Sequence, residues 1–333
     1  KSENVQNNVK AYLKMLLNDL GYVGFRYDMV KGYSASFTKM YNEDAQPQFS
    51  VGECWDGTNT IKNWIEGTGK TSAAFDFQFR YTVRNAANGG DWRKLVQQND
   101  GNWPLVSDNY NNGVYKQYAV TFVENHDTEK RSNAAQDPIK KDTLAANAYL
   151  LAMPGTPCIF LTHWRDCKQS IKAMIDVRRF AGIHNMSTYN IVQANNTKYA
   201  AFSSEGTKSK LLVIVGDTKM YTPADTWVKV LEGYHFAYYL DKGANTAWVD
   251  LASGEYEGTQ KATLTAVTNN SGAQLVYTTD GSTPTANSTK VASGTKIDVT
   301  GNMTLKVGLL IGSPVSGIVT RTYTEPAPVD KKT

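Results

Sequence analysis

The sequence predicts an α/β region followed by two all-β regions. Three observations carry that prediction. Helical periods alternate with short apolar runs up to about residue 185. The helices then stop, and short strand-like runs separated by turn residues take over. From about residue 257 the composition shifts to Thr, Ser, Gly and Val, without any Trp. A chain of 333 residues suits two or three domains of this kind.

Composition sets the outer limits. Apolar residues make up 41% and charged residues 20%, so a packed core is feasible. The net charge is +4 and no dense Lys/Arg block occurs, so a nucleic-acid partner is not expected. No apolar run approaches the roughly 20 residues that span a bilayer. Residues 1–10 are polar and do not read as a signal peptide. The three cysteines, Cys54, Cys158 and Cys167, lack CxxC spacing and read as free thiols rather than metal ligands. Bridging of Cys158 and Cys167 stays open.

Taken in order, "NVQNNVKAYLKMLLNDLG" is an amphipathic helix ending at Gly21. "YVGFRYD" is a strand, "SASFTKMYNEDA" a helix, "QFSVGECW" a strand and "NTIKNWIEG" a helix. "SAAFDFQF" alternates like a strand, "DWRKLVQQ" is helical, and "QYAVTFVENHD" is a strand with a polar end. "DPIKKDTLAANAYLLAMPG" is a helix with Asp137 as N-cap and Pro138 at its first position. "TPCIFLTHW" is a strand and "CKQSIKAMIDVRRFAGI" a helix. Alternation of this kind implies βα units on a parallel sheet, whose strands are apolar throughout because both faces are covered. Residues 186–256 read as an antiparallel β domain. Residues 257–325 read as an immunoglobulin-like β-sandwich of about seven strands, followed by a tail at 326–333.

Polar residues collect at the C-terminal ends of three of the parallel strands. Asp28 closes "GFRYD", Glu53 lies in "VGECWD" and Asp127 in "FVENHD". Parallel strand ends converge in space, and in a (β/α)8 barrel that face is catalytic. Three acids around one pocket suit glycoside hydrolysis, which needs a proton donor for the leaving oxygen and a carboxylate nucleophile. Arg26 and Asp28 are two apart on a strand and share a face, so the guanidinium keeps Asp28 ionised. Glu53 has no basic neighbour in sequence, which suits an acid. On the residues alone, the alternative is a set of structural ion pairs at the rim of a sheet.

These segments resemble the alpha-amylase family, glycoside hydrolase family thirteen. "GFRYDMVKGY" is similar to its second signature region, "GECWD" to its third and "FVENHDT" to its fourth, in the same order and spacing. "GTPCIFLTHW" is similar to its last barrel strand, and the likeness runs from residue 1 to about 255. It implies a partial (β/α)8 TIM barrel, strands four to eight, over 1–185. It also implies hydrolysis of α-1,4-glucosidic bonds in starch-like glucans with retention. Asp28 would be the nucleophile, Glu53 the general acid/base and Asp127 the transition-state stabiliser, with the carboxyls of Asp28 and Glu53 about 5–5.5 Å apart. Arg26, Lys31 and His126 would bind substrate. Trp55 and Trp164 are candidate sugar platforms, with packing the alternative for both. The backbone carbonyl of Gly32 would stand where relatives often ligate a structural calcium. The resemblance further implies an extracellular, periplasmic or cell-surface enzyme, acting as a monomer.

The family's first signature region, an "Asp…Asn-His" segment, has no counterpart here. The chain is therefore expected to be a C-terminal portion with little activity alone, most calcium ligands lying outside it. A transglycosylating or maltogenic relative, or a non-catalytic glucan-binding or structural relative, are the competing readings. The segment "VYTTDGSTPTANSTKVASGTKIDVTGNMTLKV" resembles the immunoglobulin-like module at the ends of chitobiases and other secreted glycosidases. Its strands offer only Tyr277 and Tyr323 for stacking on sugars, which favours a spacer over a starch-binding module.

Overall fold

The computed structural model describes residues 2–130 and 136–327. The N-terminal part contains α1 (Glu3–Asn18), β1 (Gly24–Tyr27), α2 (Ala35–Ala45), β2 (Phe49–Gly52), α3 (Thr58–Gly67) and β3 (Ala73–Phe75). It continues with α4 (Phe77–Gly89), β4 (Ala119–Thr121), α5 (Thr143–Ala152), β5 (Thr156–Pro157), α6 (Leu161–Asp166) and α7 (Lys168–Ala181). The five strands pair in parallel in the order β1-β2-β3-β4-β5. This is the parallel βα sheet with β regions behind it that the residues predict, and it is consistent with the partial barrel that the resemblance implies.

Local chemistry explains the elements. Ser34 caps α2 by accepting from the Ser36 N–H. Gly52 lets α3 lie close on β2, since a Cβ there would come within 2.1 Å of the Trp64 ring. Gly182 ends α7 at φ +76°, a conformation that glycine adopts without strain. The helices cover one face of the sheet in the main core. Val51, Ala73 and Val120, with Phe75, form a small cluster of their own.

Three expectations for this region change. "FDFQF" is not strand beyond Phe75. The buried Asp76 carboxylate accepts from the Phe79 N–H at 3.1 Å and the Val106 N–H at 2.9 Å, so a helix starts there. The cap of α5 is Asp142 rather than Asp137, which instead pairs with Arg80 and Arg84, each at 2.7 Å. "LTHW" is the start of α6, because β5 stops at Pro157.

The middle domain is an antiparallel sheet of β6 (Tyr189–Gln193), β7 (Tyr199–Glu205), β8 (Lys210–Gly216), β9 (Trp227–Gly233) and β10 (Phe236–Asp241), in the order β6-β7-β8-β10-β9. Its buried Tyr238 hydroxyl donates to the Ala148 carbonyl of α5 at 2.5 Å. The C-terminal strands are β11 (Thr246–Val249), β12 (Gly254–Glu255), β13 (Gln260–Val267), β14 (Gln274–Thr278), β15 (Thr289–Val291), β16 (Thr295–Val299), β17 (Met303–Leu310) and β18 (Val315–Thr324). They form a three-stranded sheet, β11-β13-β16, and a five-stranded sheet, β12-β18-β17-β14-β15. Trp248 on β11 packs edge-to-face on Phe180 of α7 at 5.4 Å and lies under the Arg321 guanidinium at 5.0 Å. Among the described residues, all three cysteines are free and no helix is long and apolar enough to cross a membrane.

Candidate active site

The turns after β1 and β2 are stitched together. Glu53 N–H donates to the Tyr27 carbonyl at 2.9 Å, and Val30 N–H donates to the Glu53 carbonyl at 3.2 Å. Met29 holds a left-handed backbone (φ 43°), and its N–H donates to the Glu53 carboxylate at 2.9 Å. A left-handed non-glycine residue costs energy, and these bonds hold it there.

Arg26 then gathers the two acids. One guanidinium nitrogen lies 2.7 Å from Asp28, the other 3.3 Å from Glu53. Asp28 is exposed while Glu53 is buried, at 67% and 7% side-chain exposure. The Arg26 guanidinium, followed by a hydrogen bond shared with the Glu53 carboxyl, holds Asp28 below the ordinary carboxylate range. Arg26 also lies over the Phe75 ring, 5.9 Å from its centre.

Arg26, Glu53 and His126 line one cavity of about 220 Å³, walled by Phe75, Phe122 and Phe160. His126 Nε2 lies 3.2 Å from Asp127. The loop that carries both is pinned by Asn125, whose side-chain oxygen accepts from the N–H groups of Asp127 and Thr128, each at 3.0 Å. Asp28, Glu53, Arg26 and His126 are therefore brought together, with Asp127 beside His126.

The remaining candidates lie further out. Lys31 pairs with Asp56 at 3.0 Å. Trp55 stacks on Phe77 at 4.9 Å, and its N–H donates to the Tyr81 hydroxyl at 2.8 Å. Trp164 sits on α6, partly buried against the core rather than in the cavity. Gly32 closes a 3-10 turn whose N–H donates to the Met29 carbonyl at 2.9 Å. Calcium takes six to eight oxygens, and among the described residues no group of three His, Cys, Asp or Glu could hold a metal. One carbonyl does not make a calcium site, so the described residues alone do not fit one.

A further group escaped the sequence. Glu124 lines the same cavity, accepts from the Ile139 N–H at 2.8 Å and pairs with His163 Nε2 at 3.0 Å. Asn147 meets the other ring nitrogen of His163 at 3.1 Å. The acid just before "NHD" was the available signal, but its partner lies 39 residues away on α6.

Acids gathered by one arginine where parallel strands end are the groups that glycoside hydrolysis requires. The family model for the alpha amylase catalytic domain matches residues 1–163, and that for the chitobiase/beta-hexosaminidase C-terminal domain matches 251–310. The chain is 36% identical over 118 residues to an alpha-amylase type B isozyme of Hordeum vulgare, covering 35% of this chain and 72% of that one. It is 34% identical over 255 residues to a probable alpha-amylase 2 of Arabidopsis thaliana, covering 71% of this chain and 59% of the relative. A gamma-CGTase structure from an alkalophilic Bacillus clarkii superposes with a TM-score of 0.53 at 14% identity, over 97% of this chain and 70% of that one, a likeness of fold alone. The chain belongs to the alpha-amylase family. It spans about 59% of the length of the Arabidopsis relative.

Proposed function

We propose that this site hydrolyses α-1,4-glucosidic bonds of starch-like glucans with retention of configuration. The observation that carries the reading is the shared grip of Arg26 on an exposed Asp28 and a buried Glu53. Asp28, kept ionised, attacks the anomeric carbon while the Glu53 carboxyl gives its proton to the departing glycosidic oxygen. Glu53, now a carboxylate, takes a proton from water, and that water displaces Asp28 from the glycosyl–enzyme. Asp127 and His126 hold ring hydroxyls and stabilise positive charge on the distorted sugar. Lys31 contacts the glucan on the leaving-group side. No step runs through calcium.

The reading also holds that the 333-residue chain turns over starch slowly. Among the described residues β1 and β5 are the outer strands of the sheet, and on this reading the cleft lacks a wall there. The test is Asp28→Asn in this protein and in a longer form whose added strands cover β1, with reducing ends released from soluble starch as the signal. Hydrolysis should fall on the order of a thousandfold or more in either form, while maltoheptaose binding stays. Persistent hydrolysis would show that the roles are misassigned. Rapid turnover by the 333-residue chain would show that its cleft is already complete.

A further inference from the structure

Glu124 stands immediately before the loop that carries His126 and Asp127, and it lines the same cavity as Arg26 and Glu53. Only 7% of it is exposed. Both of its carboxyl oxygens are engaged. Oε1 accepts from the Ile139 N–H at 2.8 Å, and Oε2 lies 3.0 Å from His163 Nε2. The direction of the second bond follows from Asn147. Its amide nitrogen donates to the Thr143 carbonyl at 2.9 Å, which fixes the orientation of the amide, and the same nitrogen lies 3.1 Å from His163 Nδ1. An amide nitrogen only donates, so Nδ1 accepts and the ring proton sits on Nε2, where it is donated to Glu124. Phe160, a wall of the cavity, meets the ring edge-on at 5.6 Å between centres.

The hold on Glu124 matters because Arg26 is shared. Its two terminal nitrogens already serve Asp28 at 2.7 Å and Glu53 at 3.3 Å. A buried carboxylate that loses a hydrogen-bond donor is destabilised until it finds another partner. Among the residues lining the cavity of about 220 Å³, the Arg26 guanidinium carries the permanent positive charge, so a released Glu124 would be drawn to it. A third acid on that guanidinium would weaken its grip on the other two.

We propose that His163 is a positioning residue for the reaction: by holding Glu124 against α6 it leaves the Arg26 guanidinium to Asp28 and Glu53. His163 acts through Glu124 and does not touch the substrate, and Asn147 sets the ring nitrogen that donates. The inference rests on the glucan reading above.

Starch hydrolysis by the full 333-residue protein, followed as reducing ends across pH, tests it. His163→Leu and His163→Phe, which lack the donor, should each lower kcat about tenfold with KM little changed. They should also move the acid limb of the kcat/KM profile to higher pH. Arg26 is the main group holding the Asp28 carboxyl low, with Glu53 and His126 as its other neighbours, so diverting Arg26 lets that carboxyl rise. His163→Gln, whose amide keeps a donor towards Glu124, should retain most of the activity. His163→Leu combined with Glu124→Gln, which removes the competing charge, should restore the acid limb and most of the lost kcat. Melting temperatures report folding for every variant. If the double variant is as impaired as His163→Leu and the acid limb stays in place, His163 only supports the fold and the inference is wrong. Full activity in His163→Leu would overturn it as well. In both cases the glucan reading stands so long as Asp28→Asn removes hydrolysis. If the unaltered protein releases no reducing ends, both are wrong.

Discussion

The parallel sheet and the C-terminal sandwich solve the same problem in different ways. The parallel strands are two to four residues long and joined by helices, whereas the main sandwich strands run to eight or ten residues. In the sandwich, β18 alternates exposed and buried along its length, one face on the core and one in water. In the parallel sheet, helices cover one face and the chemistry is carried past the strand ends, in turns that antiparallel hairpins would have closed. The sandwich therefore spends its side chains on packing, and the parallel sheet keeps its exposed charges for a ligand. Substitutions in the first should cost stability, and substitutions at the rim of the second should cost chemistry.

The strongest way to break that contrast is Trp248→Ala. The ring joins the sandwich to α7 through Phe180 and Arg321, so its loss should destabilise the protein by about 3–5 kcal/mol. Calorimetry should resolve a separate, earlier transition for the sandwich. A single unshifted transition would mean that the sandwich does not lean on the barrel portion.

Asp76 is the test within the parallel region. Burial pushes its carboxyl up to about 6, against the lowering effect of the backbone N–H groups it accepts from. A carboxyl raised in the fold contributes stability that is present below the unfolded value near 4 and is lost as pH rises through the folded value. The difference corresponds to ~3 kcal/mol by linkage. The melting-temperature advantage of the unaltered protein over Asp76→Ala should be largest near pH 4 and shrink towards pH 7. A widening gap would show that the carboxylate is better held than burial implies.

Asp28→Asn should leave the melting temperature unchanged, because Asp28 is exposed and only its charge is used. Addition or chelation of calcium should have the smallest effect of all on the melting temperature. A clear rise with calcium would locate ligands beyond those described.

Much of the site was legible because strand chemistry is local. An apolar run ending in Arg26 and Asp28 can be read from spacing two, and Glu53 and Asp127 follow the same pattern on later strands. What was illegible depends on partners distant in sequence. Asp137 looks like a helix cap until Arg80 and Arg84 are seen to claim it. His163 has no visible role until α6 carries it to Glu124.

By itself the sequence determined the βα order, the two β regions behind it and the presence of three acids at strand ends, since periodicity and turn residues act over a few positions. It also placed Arg26 on the face of Asp28. Only the tertiary structure decided that one guanidinium holds both Asp28 and Glu53. Those carboxyls are 25 residues apart, and their meeting depends on the β1–β2 register and on the left-handed turn at Met29. The grip of Arg26 on both acids exists only once that turn has closed.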